Sequence, residues 1–234
     1  MDNLYTYEII TKDRTDLIQG ASNCLAKAFT GIEVGGKWIQ CPLIGYAGIT
    51  YDDFYQFCKN YLEIHVEQGY CAAALDNNNR VVGAIAGDTN APEVIEEETI
   101  YGGTSPNWSI VIHALNDVNS RFLDDYQNKK RKTIQDGQLL HMFMIGVIAE
   151  RESHQVTRQL FDMILEKASS KRLQFAIGEC TNPKSMRALE KNFGIHKYED
   201  INGNHIAYHY KENDILKNIP EDVAEGIYVI LKEF

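Results

Sequence analysis

Alternation of apolar and polar positions opens the chain. Residues 4–10, LYTYEII, are rich in β-forming side chains and predict a first strand. The spacing then turns helical: Leu17, Ile18, Ala21, Leu25 and Ala28 share one face of a helix ending near Phe29, with Asp13 or Thr15 as candidate cap. Gly31, Gly35 and Gly36 break that pattern, and 33–50 has too little periodicity for more than a loop or a short irregular helix. A second amphipathic helix opens at Asp52 and carries Phe54, Phe57, Cys58, Leu62 and Val66 on one stripe. The runs YCAAAL (70–75) and RVVGAIAG (80–87) flank Asp76-Asn77-Asn78-Asn79, a cluster that tolerates the left-handed conformations of a hairpin turn.

Residues 88–106 read as an acidic loop containing Glu96-Glu97-Glu98, residues 107–128 as a helix, and 129–138 as a charged surface connection. The second half is more regular. LLHMFMIGV (139–147) has the length and apolar continuity of a buried central strand. A helix over 156–169, a strand over 173–180 and a short helix over 183–193 follow, the last with Pro183 in its first turn and Gly194 just past its end. GIHKYEDI and HIAYHYK predict two strands joined by Asn202-Gly203-Asn204, and GIYVILKEF a final strand. This order predicts an α+β domain with a mixed sheet. It is read as one domain over 1–234, with 88–138 as an inserted loop and helix.

With 234 residues, 44% of them hydrophobic, the chain can build a core without staples. A formal net charge of −10 argues against nucleic acid as the main ligand and suits a cationic one, although acidity also serves plain solubility. The short basic run Lys129–Lys132 fits a solvated helix end. The five cysteines are scattered, with no CxxC pair, so neither a disulfide framework nor a metal site is expected. No secretory signal pattern or apolar run of membrane-spanning length is visible, so the expected location is cytoplasmic, with no membrane partner.

The order of elements and the residues over 139–200 resemble the GCN5-related N-acetyltransferase (GNAT) superfamily. In that family a central strand ends in Val, and a short loop and a Gly-rich turn then open a helix. Here Ile145-Gly146-Val147 ends the strand and Ile148 to His154 forms the loop. After the next strand the family places an Asn and a short helix ending near a Gly-Phe pair. Here Thr181-Asn182 follows LQFAIGEC, and PKSMRALEKNF ends at Phe193-Gly194. The stretch LAKAFTGIEVGG (25–36) more faintly resembles arylalkylamine N-acetyltransferases. The resemblance implies a mostly antiparallel central sheet flanked by helices, with acetyl-CoA as co-substrate and a small primary amine as acceptor. A homodimer is the candidate assembly.

The resemblance also places the site. A pyrophosphate would dock on the helix N-terminus formed by Ser153, His154, Gln155, Val156, Thr157 and Arg158, where free N–H groups and the helix dipole favour an anion. Ile145, Gly146, Val147 and Asn182 would line the rest of the donor site. The chain departs from the family's pattern of Gln or Arg, two residues, Gly, one residue, Gly or Ala: Glu152, Gln155 and Thr157 occupy those positions. Leu189 stands where many members carry a Tyr that protonates the leaving thiolate. These departures give an alternative reading, a domain of the same fold that binds a ligand or partner without catalysis.

Acyl transfer to an amine needs the amine neutral, hence a general base. Glu33 and Glu179 are the catalytic candidates. His141, in an apolar strand, fits a satisfied core histidine as well as a base, and His154 could meet phosphate. Cys180 reads as a small core residue rather than a nucleophile. Tyr46, Tyr51 and Tyr55 are candidates for an acceptor pocket.

Overall fold

The computed structural model describes residues 4–92 and 105–234, so Glu96-Glu97-Glu98 lies outside the described residues. Strand β1 (Thr6–Ile9) leads into helix α1 (Thr15–Thr30), which buries the stripe read from the sequence, Leu17, Ile18, Ala21, Leu25 and Ala28. Neither Asp13 nor Thr15 caps it. The N-cap residue is Arg14, without a side-chain cap bond, and its guanidinium pairs with Glu8 and Asp16. The aperiodic stretch holds a small hairpin, β2 (Ile32–Val34) with β3 (Lys37–Ile39), and a short helix α2 (Pro42–Ala47). Helix α3 (Tyr51–His65) starts at Thr50, whose hydroxyl accepts the Asp53 N–H at 3.2 Å.

The Asp/Asn turn does join two strands, β4 (Ala72–Leu75) and β5 (Val81–Asp88). Helix α4 (Trp108–Lys130) follows, then β6 (Leu139–Val147), α5 (Ser153–Ser170), β7 (Phe175–Cys180) and α6 (Pro183–Phe193). The last strands are β8 (His196–Lys197), β9 (Ala207–His209) and β10 (Gly226–Glu233). The main sheet runs β1-β4-β5-β6-β7-β10-β8, with β9 also on β10. Every neighbour in it is antiparallel except β6 with β7. The expected fold, α+β with a mostly antiparallel sheet, is therefore the observed one.

Helices cover both faces. Leu25, Tyr61 and Phe122, from α1, α3 and α4, pack on one side of the sheet; Leu160, Ile164 and Phe193, from α5 and α6, pack on the other. Full burial of such a side chain is worth about 1.5–3 kcal/mol. Among the described residues no helix is long and apolar enough to cross a membrane.

Two expectations need correction. The segments around Asn202-Gly203-Asn204 do not form a regular hairpin. Both β8 and β9 lie along the same edge of β10, and only the single bridge Glu199–His205 joins the arms between them. The excursion is tied to α4 instead: Asp125 accepts from the Tyr198 hydroxyl at 2.8 Å and from the Ile201 N–H at 2.9 Å. Asp88, read as the start of an acidic loop, is the last residue of β5 and is paired in register with His141.

The feature that positions the site is a parting of strands. β6 and β7 pair in parallel only from Leu139–Phe175 to His141–Ile177. Beyond that point β6 stays with β5 and β7 stays with β10, so a wedge opens toward the C-terminal ends of both strands. Phe143 is an extra residue in β6, since Ala86 faces Met144 while Gly87 faces Met142, and this bulge bends the strand where it leaves its neighbour. Gly178 sits at the apex, where an added Cβ would lie 2.8 Å from the Met142 carbonyl oxygen. Gly178→Ala should therefore destabilise the fold by about 1–3 kcal/mol in urea unfolding. An unchanged midpoint would mean that the strands can separate there without cost.

Candidate functional site

A cavity of about 150 Å³ fills the wedge. Its floor comes from the parting strands, with Met142 to Ile145 on β6 and, after the apex, Glu179 and Cys180 on β7 with Thr181 and Asn182 just beyond it. One wall is aromatic: Phe29, Phe54, Phe57 and Trp108 line it. These rings are stacked, Phe57 on Trp108 at 4.6 Å, Phe54 on Trp108 at 5.8 Å and Phe29 on Phe54 at 4.9 Å between centroids. The opposite wall carries Phe161, Ser185, Leu189 and Ile230.

A row of buried polar groups reaches this apolar space. The Tyr61 hydroxyl donates to Asp88 Oδ2 at 2.5 Å. The same oxygen lies 3.4 Å from His141 Nδ1, and His141 Nε2 lies 3.0 Å from Glu179 Oε2. The Asn90 N–H holds Asp88 Oδ1 at 2.7 Å. Glu179 Oε1, by contrast, is buried and has no hydrogen-bond partner among the described residues, and Glu179 lines the cavity. The side chains of Asp88 and Glu179 are only 4% and 3% exposed, so both carboxylates need compensation.

His141 supplies it. Burial alone would lower its pKa, but the Glu179 and Asp88 carboxylates outweigh that and hold it well above the usual imidazole range. Nε2 then donates to Glu179 and Nδ1 faces Asp88 as an ion pair, as suits a doubly protonated imidazolium. For Asp88 burial opposes ionisation, and the bonds from His141 and Tyr61 reverse the balance and hold its pKa below the usual carboxylate value. One cation between two anions leaves one negative charge at the edge of an aromatic cavity. That charge favours a cationic ligand.

The predicted site residues divide. Glu179, Ile145 and Asn182 line the cavity. Gly146 and Val147 continue β6 from there, with Gly146 pressed against α1, where an added Cβ would meet Ala28 at 2.7 Å. Asn182 is also the N-cap of α6, its Oδ1 accepting the Lys184 N–H at 2.8 Å. Glu33 is exposed on the β2–β3 hairpin opposite Trp38 and does not line the cavity. Tyr51 donates to Asn23 and stacks on Tyr55, and neither tyrosine lines the cavity; Tyr46 lies in a neighbouring open groove.

Helix α5 begins at Ser153, three residues before the first periodic residue, Val156. Its N-cap Glu152 is left-handed, with φ 51° and ψ 30°, and makes no side-chain cap bond. Ser153, His154, Gln155 and Arg158 are exposed around this end, whereas Val156 is fully buried beneath it. Thr157 turns its hydroxyl back to the Ser153 carbonyl at 2.8 Å. The Tyr5 hydroxyl donates to the Arg151 carbonyl at 2.8 Å, and Tyr5, Tyr7, Glu152 and Gln155 line a small pocket beside it.

Sequence reasoning missed Asp88, Tyr61 and Trp108. The available signal was Asp88 itself, a single carboxylate closing the apolar run VVGAIAGD. Cys180 behaves as expected of a core residue: burial pushes its thiol up to about 11, far from a nucleophilic thiolate. Among the described residues no cluster of three His, Cys, Asp or Glu side chains has the arrangement to hold a metal ion.

Comparison with known proteins agrees with this architecture. No protein-family model matches the sequence, and neither does any curated protein. Solved structures do match over nearly the whole chain. Arylalkylamine N-acetyltransferase 2 from Aedes aegypti superposes with a TM-score of 0.66 at 14% identity, covering 99% of each chain. The polyamine N-acetyltransferase of Drosophila melanogaster, which forms N-acetylagmatine, gives 0.63 at 15% identity, covering 98% of this chain and 100% of that one. The C-terminal condensation domain of Ebony, in complex with beta-alanyl-dopamine, gives 0.64 at 14% identity, covering 98% and 99%. The chain has the GNAT fold.

Proposed function

We propose that this chain, built on the fold of the N-acetyltransferases, transfers an acetyl group from acetyl-CoA to a small primary amine. The observation that carries the reading is the Oε1 of Glu179, buried and without a partner among the described residues, at the wedge between β6 and β7. A buried carboxylate oxygen without a partner is costly unless a ligand meets it, and an ammonium group meets it with charge and hydrogen bond together.

The residues present suit the donor's arm. Among the described residues no strand pairs with the β7-facing edge of β6 past His141, which leaves that edge to an extended amide-bearing chain. Met142 to Ile145, Ser185 and Leu189 give that chain its walls. For the pyrophosphate, the first-turn N–H groups of α5 offer an anion site, with Arg151, Arg158 and His154 exposed nearby. Glu152 opposes it with a like charge.

When bound, acetyl-CoA supplies a thioester carbonyl ready for attack. Glu179 Oε1 holds the substrate ammonium and takes a proton from it, which frees the nitrogen lone pair. His141 fixes the carboxylate through Oε2, Asp88 fixes His141, and Tyr61 fixes Asp88. Backbone N–H groups near Ile145–Val147 polarise the carbonyl oxygen. As the amide forms, the nitrogen gives up a second proton, which balances the one the departing sulfur takes up.

Calorimetric titration with acetyl-CoA tests this reading. Micromolar binding is expected, and the double variant Gln155→Gly/Thr157→Gly should bind equally well or more tightly, since it clears side chains from the α5 start. No heat of binding at millimolar acetyl-CoA would overturn the reading and leave the non-catalytic alternative.

A further inference from the structure

Asp88 is the last residue of β5, and the ladder on one side of it has already ended: among the described residues β4 pairs with β5 only as far as Ile85. On the other side Asp88 faces His141 in register. Beyond the strand, the Gly137 N–H holds the Thr89 carbonyl at 2.7 Å, and Gln68 holds both Thr89 and Asn90. Gln68 closes the 3₁₀ turn Val66–Gln68, between α3 and β4. Its Oε1 accepts the Thr89 N–H at 2.6 Å and the Thr89 hydroxyl at 3.0 Å. Its Nε2 donates to Asn90 Oδ1 at 3.2 Å. A backbone N–H only donates, so the bond to Thr89 fixes which end of the amide is oxygen.

Asn90 carries that restraint to the carboxylate. Its N–H donates to Asp88 Oδ1, while Oδ2 meets the Tyr61 hydroxyl and the His141 ring. We propose that Gln68 is a positioning residue: by pinning residues 89 and 90 it orients the Asp88 carboxylate toward His141 and, through that ring, holds Glu179. This deepens the acetyl-transfer reading and rests on it for any effect on turnover; the placement of Asp88 does not depend on it. His141 is faced by Asp88 from β5, by Glu179 from β7, and by His65 from α3, with Tyr61 of α3 bonded to Asp88. Cys71, just before β4 and near Asp88, gives its S–H to the Gly87 carbonyl at 3.5 Å. The charge on His141 therefore reports where Asp88 stands, since burial alone disfavours that charge and the carboxylates restore it.

The experiment is an NMR titration of the His141 ring in wild type and in Gln68→Met, which keeps the length of the side chain and removes its bonds to Thr89 and Asn90. Both side chains are neutral, so a change in midpoint reads geometry and not added charge. The midpoint should fall by about one pH unit, toward the ordinary imidazole value of about 6.5, as Asp88 loosens. In acetyl transfer the loss of activity on the alkaline side should then set in at lower pH. At neutral pH kcat should fall by about tenfold or more, the scale of a misplaced catalytic group. A midpoint unchanged from wild type in the folded variant would overturn the proposal, whatever the activity. A midpoint that falls in a protein that transfers no acetyl group would support the placement of Asp88 by Gln68 and overturn only the reading of the site as an acetyltransferase. If Gln68→Met does not fold, Gln68→Asn, which keeps the amide and draws it back by one methylene, is read by the same two outcomes.

Discussion

Glu179→Gln should lower kcat/KM for acetyl transfer by about 10²–10⁴-fold at neutral pH, the range associated with loss of a positioned base. The substitution keeps the shape of the side chain and its place beside His141, so the fold should survive. The loss has two parts. A neutral amide no longer attracts an ammonium ion into the cavity, which raises KM. It also cannot take the proton, which lowers kcat. The deficit should shrink as pH rises toward the pKa of the acceptor amine, because amine that arrives neutral needs no base. A deficit that is constant with pH would instead assign Glu179 a structural role, since both parts of the loss depend on the amine arriving charged. Wild-type activity in the variant would remove it from the chemistry, and Glu33, exposed on its hairpin, would return as the candidate.

His141→Gln should be the most destabilising substitution at the site. It removes the cation between two carboxylates that are 4% and 3% exposed. Breaking a buried ion pair by deleting one partner typically costs about 3–5 kcal/mol, because the remaining charge is left uncompensated. The pH dependence has a definite sign. His141 has a folded-state pKa raised above its unfolded value. Its contribution is therefore complete below the ordinary imidazole pKa of about 6.5 and is lost as pH rises through the elevated folded value. Asp88 acts at the acid end: its pKa is lowered on folding, so its contribution is present above the ordinary carboxylate range and lost as pH falls through the folded value. Urea unfolding of wild type at several pH values should show stability declining on the alkaline side, and the variant should lack that decline. A variant as stable as wild type would mean that the three groups do not share one charge.

The sequence carries some of this more plainly than the rest. The elements around the wedge are legible because their signals are local: an unbroken apolar run for β6, Asn182-Pro183 and Gly194 at the ends of α6, and the Asp/Asn turn between β4 and β5. Glu179 is readable as a candidate because a carboxylate near a strand end is conspicuous in LQFAIGEC. What holds it is not readable, since Asp88, His141 and Tyr61 come from three elements and meet only through the register of β5 with β6 and the packing of α3. The arms of the last predicted hairpin fail for the same reason. Their local pattern suits strands, but β10, about 20 residues further on, offers both of them one continuous edge to pair with. The start of α5 is misjudged by three residues because Glu152 adopts a left-handed conformation with no Gly or capping side chain to announce it.

The most direct measurement is release of free thiol from acetyl-CoA by the purified protein in the presence of primary amines, with wild type and Glu179→Gln compared side by side. Amine-dependent release by wild type, largely lost in the variant, is the expected result. No amine-dependent release from any amine tested, with both proteins folded, would contradict the assignment of this wedge and its buried carboxylate to acyl transfer.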